Sequence, residues 1–253
     1  LFYAVLRTTP KPSFMKKLLL SFLFVAVTST ALLAQTIIND LNAEKRSVSG
    51  YHGIDVATGI ELTLTEGNAE EVAVSAATIE FRDKILTKVE NGILKIYYEN
   101  KIGSINKKKE SKDLKAYVSY KTLDLLHVTT GAKVKINGVL KSASLSMEAN
   151  TGALVDGEVD VASLKVNQNT GSKITLSGKA DKLDIDGDTG SKFKGDDMST
   201  SNCNVTVSTG AVVSVSAEKE LQAKASTGGS IKYKGSPAVK EIKRSTGGSV
   251  NKI

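Results

Sequence analysis

Few residues in this chain are of a type that does chemistry. They are two histidines, His52 and His127, a lone cysteine, Cys203, an acidic run Asp184-Ile185-Asp186-Gly187-Asp188, and a set of recurring lysines. Neither histidine has a cysteine or a second histidine at metal-ligand spacing. No serine stands in a G-x-S-x-G setting with a histidine near it. His127 falls at an outward alternation position and reads as a surface side chain. Cys203 has no partner for a disulfide, and it takes a place that leucine holds in neighbouring repeats, so a buried structural thiol is expected.

The acidic run is the one candidate for a cation. Alternation would set Asp184, Asp186 and Asp188 on one outward face, and Ca²⁺ takes several oxygen ligands from such a stretch. Neighbouring repeats offer Lys165 and Asn167 on one side and Asn204 and Thr206 on the other, not further acids. The competing reading is a solvated face balanced by Lys165. The lysines point the other way. Lys133, Lys173, Lys192, Lys194 and Lys232 share an outward phase and form a candidate ligand-binding row for acidic glycans or lipid head groups. The alternative is that they keep a repetitive β surface soluble.

Whatever these residues do, a repeat positions them. A Thr-Gly pair returns at Thr130, Thr151, Thr170, Thr189, Thr209, Thr227 and Thr246, in steps of 21, 19, 19, 20, 18 and 19 residues. A short regular period is the mark of a solenoid, whose repeats bury their apolar sides only by stacking. Four residues before each Thr stand Leu126, Met147, Val166, Ile185, Val205, Ala223 and Ile242. Four residues after it stand Val134, Val155, Ile174, Phe193, Val213, Ile231 and Val250. Polar residues alternate between apolar ones on both sides, so each repeat reads as strand, tight corner, strand. Glycine at the corner supplies positive φ. The preceding residue, among them Asn150, Asn169, Asp188 and Ser208, is expected to build a polar ladder from coil to coil.

The fold class is therefore all-β, a parallel β-helix or β-solenoid with coils of about 19 residues. Irregular coils come first and regular Thr-Gly coils follow. Three regions are expected: 1–34, 35–115 and 116–253. In the first, residues 1–14 read as upstream sequence. From Met15 a basic start, an apolar run and small residues ending at Ala34 read as a secretory signal peptide. No cysteine stands at that cleavage point, so a lipid on an N-terminal cysteine is not expected. Removing residues 1–34 takes away Arg7, Lys11, Lys16 and Lys17 and no acid, and the formal charge falls from +7 to +3. The high pI argues only weakly for a polyanionic partner, and nucleic acid is not an expected one.

In the second region, Ile54 and Val56 before Thr58-Gly59, with Ile60, Leu62 and Leu64 after, read as a founding coil. Asn91-Gly92 between alternating runs is a hairpin signal. Residues 79–89 read as a strand or a short helix, and 99–115 as a lysine-rich solvated loop.

The opening VSGYHGIDVATGIELTLTEGNAEEVAV, the NGILKIYY hairpin, the Thr-Gly coils and the ending GSPAVKEIKRSTGGSVNKI resemble the autotransporter-adhesin "head GIN" domain family of exported proteins from Bacteroidetes-type bacteria. The resemblance spans roughly residues 47–253. It implies a right-handed parallel β-helix and an adhesin-like role, and it supplies no catalytic residues and no cofactor. The autotransporter part of that name implies a membrane barrel that this sequence does not show.

Together these features predict an exported, non-enzymatic module of the periplasm, cell surface or exterior. It would have no transmembrane segment after cleavage, it would contact an acidic glycan or envelope polymer, and it could associate with copies of itself. The rivals are a carbohydrate-active β-helix enzyme and a calcium-stabilised glycan binder. Steps of 18 to 21 residues leave little room for the insertions that wall an enzyme cleft.

Overall fold

The structure is a computed structural model and describes residues 40–99 and 111–253. The expected signal peptide and most of the lysine-rich loop lie outside the described residues. Among the described residues seventeen strands and one helical turn follow one another: β1 Glu44–Arg46, β2 Gly53–Val56, β3 Glu61–Glu66, β4 Glu71–Ser75, α1 Ile79–Arg82, β5 Ile85–Glu90, β6 Ile93–Tyr98, β7 Lys115–Tyr120 and β8 Leu125–Val128. The long strands β9 Lys133–Ala149, β10 Leu154–Gln168, β11 Lys173–Gly187 and β12 Lys192–Val207 come next. They are followed by β13 Val212–Ser216, β14 Glu220–Ala225, β15 Ser230–Lys234, β16 Val239–Arg244 and β17 Ser249–Lys252.

Each Thr-Gly corner joins two faces. On the incoming face, β6, β2, β8, the second half of β9 to β12, β14 and β16 stack in parallel. On the outgoing face, β7, β3, the first half of β9 to β12, β13, β15 and β17 do the same. Leu164, Val166, Ile174 and Leu176 are all within 2% of full burial, as their alternation requires. The uneven steps are absorbed where the register shifts, between Asp156 and Glu158 and between Thr175 and Ser177. Such bulges insert residues without flipping the strand that follows.

Stacking does not follow chain order at the N-terminal end. The β2–β3 coil lies between β6–β7 and β8–β9. Strands β1, β4 and β5 then close that end by antiparallel pairing. Residues 79–89 hold both expected forms: one helical turn, its Phe81 N–H donating to Thr78 Oγ1, and then β5. The hairpin to β6 turns at Asn91 and Gly92, with φ of 52° and 75°.

The corners differ from expectation in one respect. Both residues of each pair are left-handed: Thr151, Thr170 and Thr189 have φ of 51°, 49° and 44°, and their glycines 70°, 70° and 68°. Two positive φ values with a closing hydrogen bond, such as Ser172 N to Asn169 O at 3.2 Å, make a type I′ turn. This conformation aims backbone groups along the stack. From Gly59 to Gly228 the corner glycine N–H donates to the threonine carbonyl of the next coil, as in Gly152 to Thr170 at 3.0 Å and Gly171 to Thr189 at 3.0 Å. The continuous ladder is therefore backbone. The expected side-chain ladder is only fragmentary: Ser208 donates to Asp188 in the coil before, whereas Asn169 bonds its own neighbour Thr170.

The last coil closes differently from the first. Lys240 and Arg244 stand in register with Leu221 and Ala225, the core-facing positions of the coil before. Arg244 Nη2 donates to the Val250 carbonyl at 2.7 Å. Charged groups turned inward at a sheet's end discourage edge-to-edge pairing.

Candidate functional site

The five lysines of the predicted row all project from the outgoing face, but they occupy two columns. One reads Glu61, Lys133, Leu154, Lys173, Lys192, Val212 from coil to coil. The other reads Thr63, Lys135, Asp156, Thr175, Lys194, Ser214, Lys232. Lys173 and Lys192 are direct neighbours. Lys133 is separated from Lys173 by Leu154, and Lys194 from Lys232 by Ser214.

Their partners also differ. Lys133 Nζ lies 2.8 Å from Glu61 Oε1, and that carboxylate holds its ammonium above the ordinary lysine range. Lys194 reaches Asp197 at 3.8 Å, and nearby Lys234 reaches Asp196 at 2.9 Å. Among the described residues no carboxylate lies within salt-bridge distance of Lys135, Lys173, Lys192 or Lys232. All four are exposed.

Between the columns lies a shallow concavity of 470 Å³ spanning β3, β9, β10 and β11. Leu154, 40% exposed, stands in it with Lys133 and Lys173 on the adjacent coils. Sequence reasoning passed over this leucine. The signal was readable, since Leu154 is an apolar residue at the outward phase where the flanking repeats carry lysine.

On the incoming face Asp184 and Asp188 have partners, while Lys165 and Lys224 are exposed with no carboxylate at salt-bridge distance among the described residues. Asp184 is engaged by Lys182 at 2.9 Å and by Asn204 Nδ2 at 3.3 Å, so its cation partner is Lys182 and not Lys165. Asp188 accepts from the Thr189 N–H at 2.7 Å and from Ser208 Oγ at 2.8 Å, and hydroxyl donors hold its carboxyl below the usual range. Asp186 is exposed. Among the described residues no three acidic, histidine or cysteine side chains gather as metal ligands would.

His127 is not an ordinary solvated histidine. It sits between Asp55 and Glu148 of the neighbouring coils, its Nδ1 3.1 Å from Asp55 and its Nε2 3.9 Å from Glu148. The hydrogen bond to Asp55 outweighs partial burial and raises its pKa. His52 pairs with Asp124 at 2.7 Å. Cys203 is buried, and desolvation pushes its thiol up to about 12, which leaves it protonated and unreactive at neutral pH.

By architecture the described residues form a regular β-solenoid whose outgoing face carries exposed lysines. The chain is a member of the family described as "Putative auto-transporter adhesin, head GIN domain", whose profile matches residues 50–237. Its fold is shared by a "putative adhesin" from Bacteroides fragilis, with TM-score 0.71 and 18% identity, covering 83% of this chain and 96% of that one. A "putative adhesin" from Parabacteroides distasonis gives 0.64 and 20%, covering 83% and 96%. A "putative lipid binding protein" from the same species gives 0.60 and 21%, covering 85% and 98%. No curated protein matches this chain. No helix among the described residues is long and apolar enough to cross a membrane.

Proposed function

We propose that this chain is an exported, non-enzymatic binding module whose outgoing face makes weak, multivalent contact with an acidic polymer of the cell envelope or its surroundings. The observation that carries this reading is the set of exposed lysines without carboxylate partners on one face of a stacked sheet. A rigid scaffold repeats them at the strand spacing of about 4.8 Å. Repetition of a weak contact raises avidity without a strong pocket. Adhesin and lipid-binding descriptions among proteins of this fold agree with surface contact. A non-catalytic role is supported by the inert Cys203 and by short coil steps.

The test is retention of the protein on an immobilised anionic polysaccharide at low and at high salt, beside a variant with Lys173, Lys192 and Lys194 changed to Gln. Exposed charges are screened beyond about 8 Å at physiological ionic strength, so retention should fall with salt and with the substitutions. Equal retention of both proteins, or indifference to salt, would return the lysines to a solubilising role.

A further inference from the structure

Resting on that reading, we infer that the contact is centred on the concavity around Leu154 and that its occupant is a carboxylate-bearing polysaccharide, a uronate chain, rather than a densely sulfated or phosphorylated polyanion. Four features of the concavity fit such a chain. Lys135 and Lys173 line it without carboxylate partners of their own. They stand two coils apart, on the order of 10 Å, which suits successive acidic groups along a sugar chain. Leu154 is the apolar centre between Lys133 and Lys173. Only a ligand with a C–H face gains from covering it, because burying apolar area is what a leucine contributes.

Asp156 is the fourth feature and the most discriminating. It lies in register between Lys135 and Thr175, within the same concavity and without a lysine or arginine at salt-bridge distance among the described residues. A carboxylate there repels most strongly a ligand that carries more than one anion on each unit in place of its hydroxyls, and accepts hydrogen bonds from one that carries a single carboxylate beside free hydroxyls. Specificity built on a repulsive element works in this way. Glu61 adds to it by neutralising Lys133 at the rim. An apolar centre with a few placed polar groups is the usual composition of a small-ligand subsite.

The experiment compares oligogalacturonate with dextran sulfate as probes by titration calorimetry on the full chain, with Leu154→Ala and Asp156→Asn variants. Leu154 is largely at the surface, so its truncation leaves the core intact, and a thermal melt verifies this. Leu154→Ala should weaken oligogalacturonate binding roughly fivefold or more and leave dextran sulfate binding unchanged. Asp156→Asn should shift the preference toward dextran sulfate. If Leu154→Ala leaves oligogalacturonate binding intact, or if the parent protein prefers dextran sulfate, the inference is overturned while the lysine-face reading stands. If the parent protein binds neither probe at low salt, the lysine-face reading falls and this inference falls with it.

Discussion

The outgoing and incoming faces hang from one core and share one coil spacing, yet their outer columns differ in what stands beside each charge. On the outgoing face Lys135, Lys173, Lys192 and Lys232 stand exposed with no carboxylate at salt-bridge distance among the described residues, and Lys135 and Lys173 share a concavity with Leu154. On the incoming face His127 stands between Asp55 and Glu148 across three coils, Asp184 and Asp188 have neighbouring partners, and Lys165 and Lys224 are exposed single lysines in separate coils. The repeat therefore dictates where a side chain stands and not what it does.

The largest break in this comparison comes from the core that both faces share. Val166 is fully buried, and Val166→Asp would place an unpaired carboxylate between the buried Met147 and Ile185 of the adjacent coils. Loss of about 3 kcal/mol or more is expected, because an unpaired buried charge is among the costliest substitutions. Chemical denaturation would measure it, and both faces should be lost together. Thr175→Ala, on the half-exposed outward phase, should leave stability nearly unchanged.

The corner that joins the faces gives a smaller and two-signed effect. Nothing lies within 4 Å of a Cβ built on Gly171, so Gly171→Ala isolates the cost of φ +70°. That cost should be roughly 1 kcal/mol. Thr170 is β-branched and also left-handed at φ 49°, and asparagine tolerates that region better. Thr170→Asn should stabilise the protein by roughly several tenths of a kcal/mol, read as a raised melting midpoint. A fall instead would mean that the threonine hydroxyl has a task of its own at this corner.

The smallest effect belongs to the incoming face alone. Because the folded pKa of His127 is raised by Asp55 and then by Glu148, its contribution to stability is fully present below the ordinary histidine value near 6.5. It is lost as pH rises through the folded value. His127→Gln should flatten the stability profile across that window and leave polymer binding on the other face unchanged. A parent profile that is flat there would show that the stack contributes nothing.

Much of this architecture was legible in the residues. The Thr-Gly period, the apolar phase on either side of it and the Asn91-Gly92 hairpin each follow from local geometry that a sequence displays. What was not legible depends on which coil stacks on which. The β2–β3 coil is inserted between later strands, so no spacing along the chain brings Asp55 beside His127. The left-handed threonines escaped because β-branched residues resist that conformation, and only the inter-coil hydrogen bonds of the corner compensate for it. The lysines of the expected row share the outgoing strands but do not form a continuous row. Leu154 and Ser214 interrupt it, and Glu61 claims Lys133.

The central claim is that the outgoing face, and not net charge, binds an acidic polymer. Two charge-matched variants test it against the parent on an immobilised uronate polymer at low salt. One carries Lys173→Glu and Lys192→Glu on the outgoing face, and the other carries Lys165→Glu and Lys224→Glu on the incoming face. The outgoing variant should lose retention by roughly tenfold or more, since reversing a charge both removes an attraction and adds a repulsion, while the incoming variant stays close to the parent. Equal losses in the two would contradict the claim and assign any binding to overall charge.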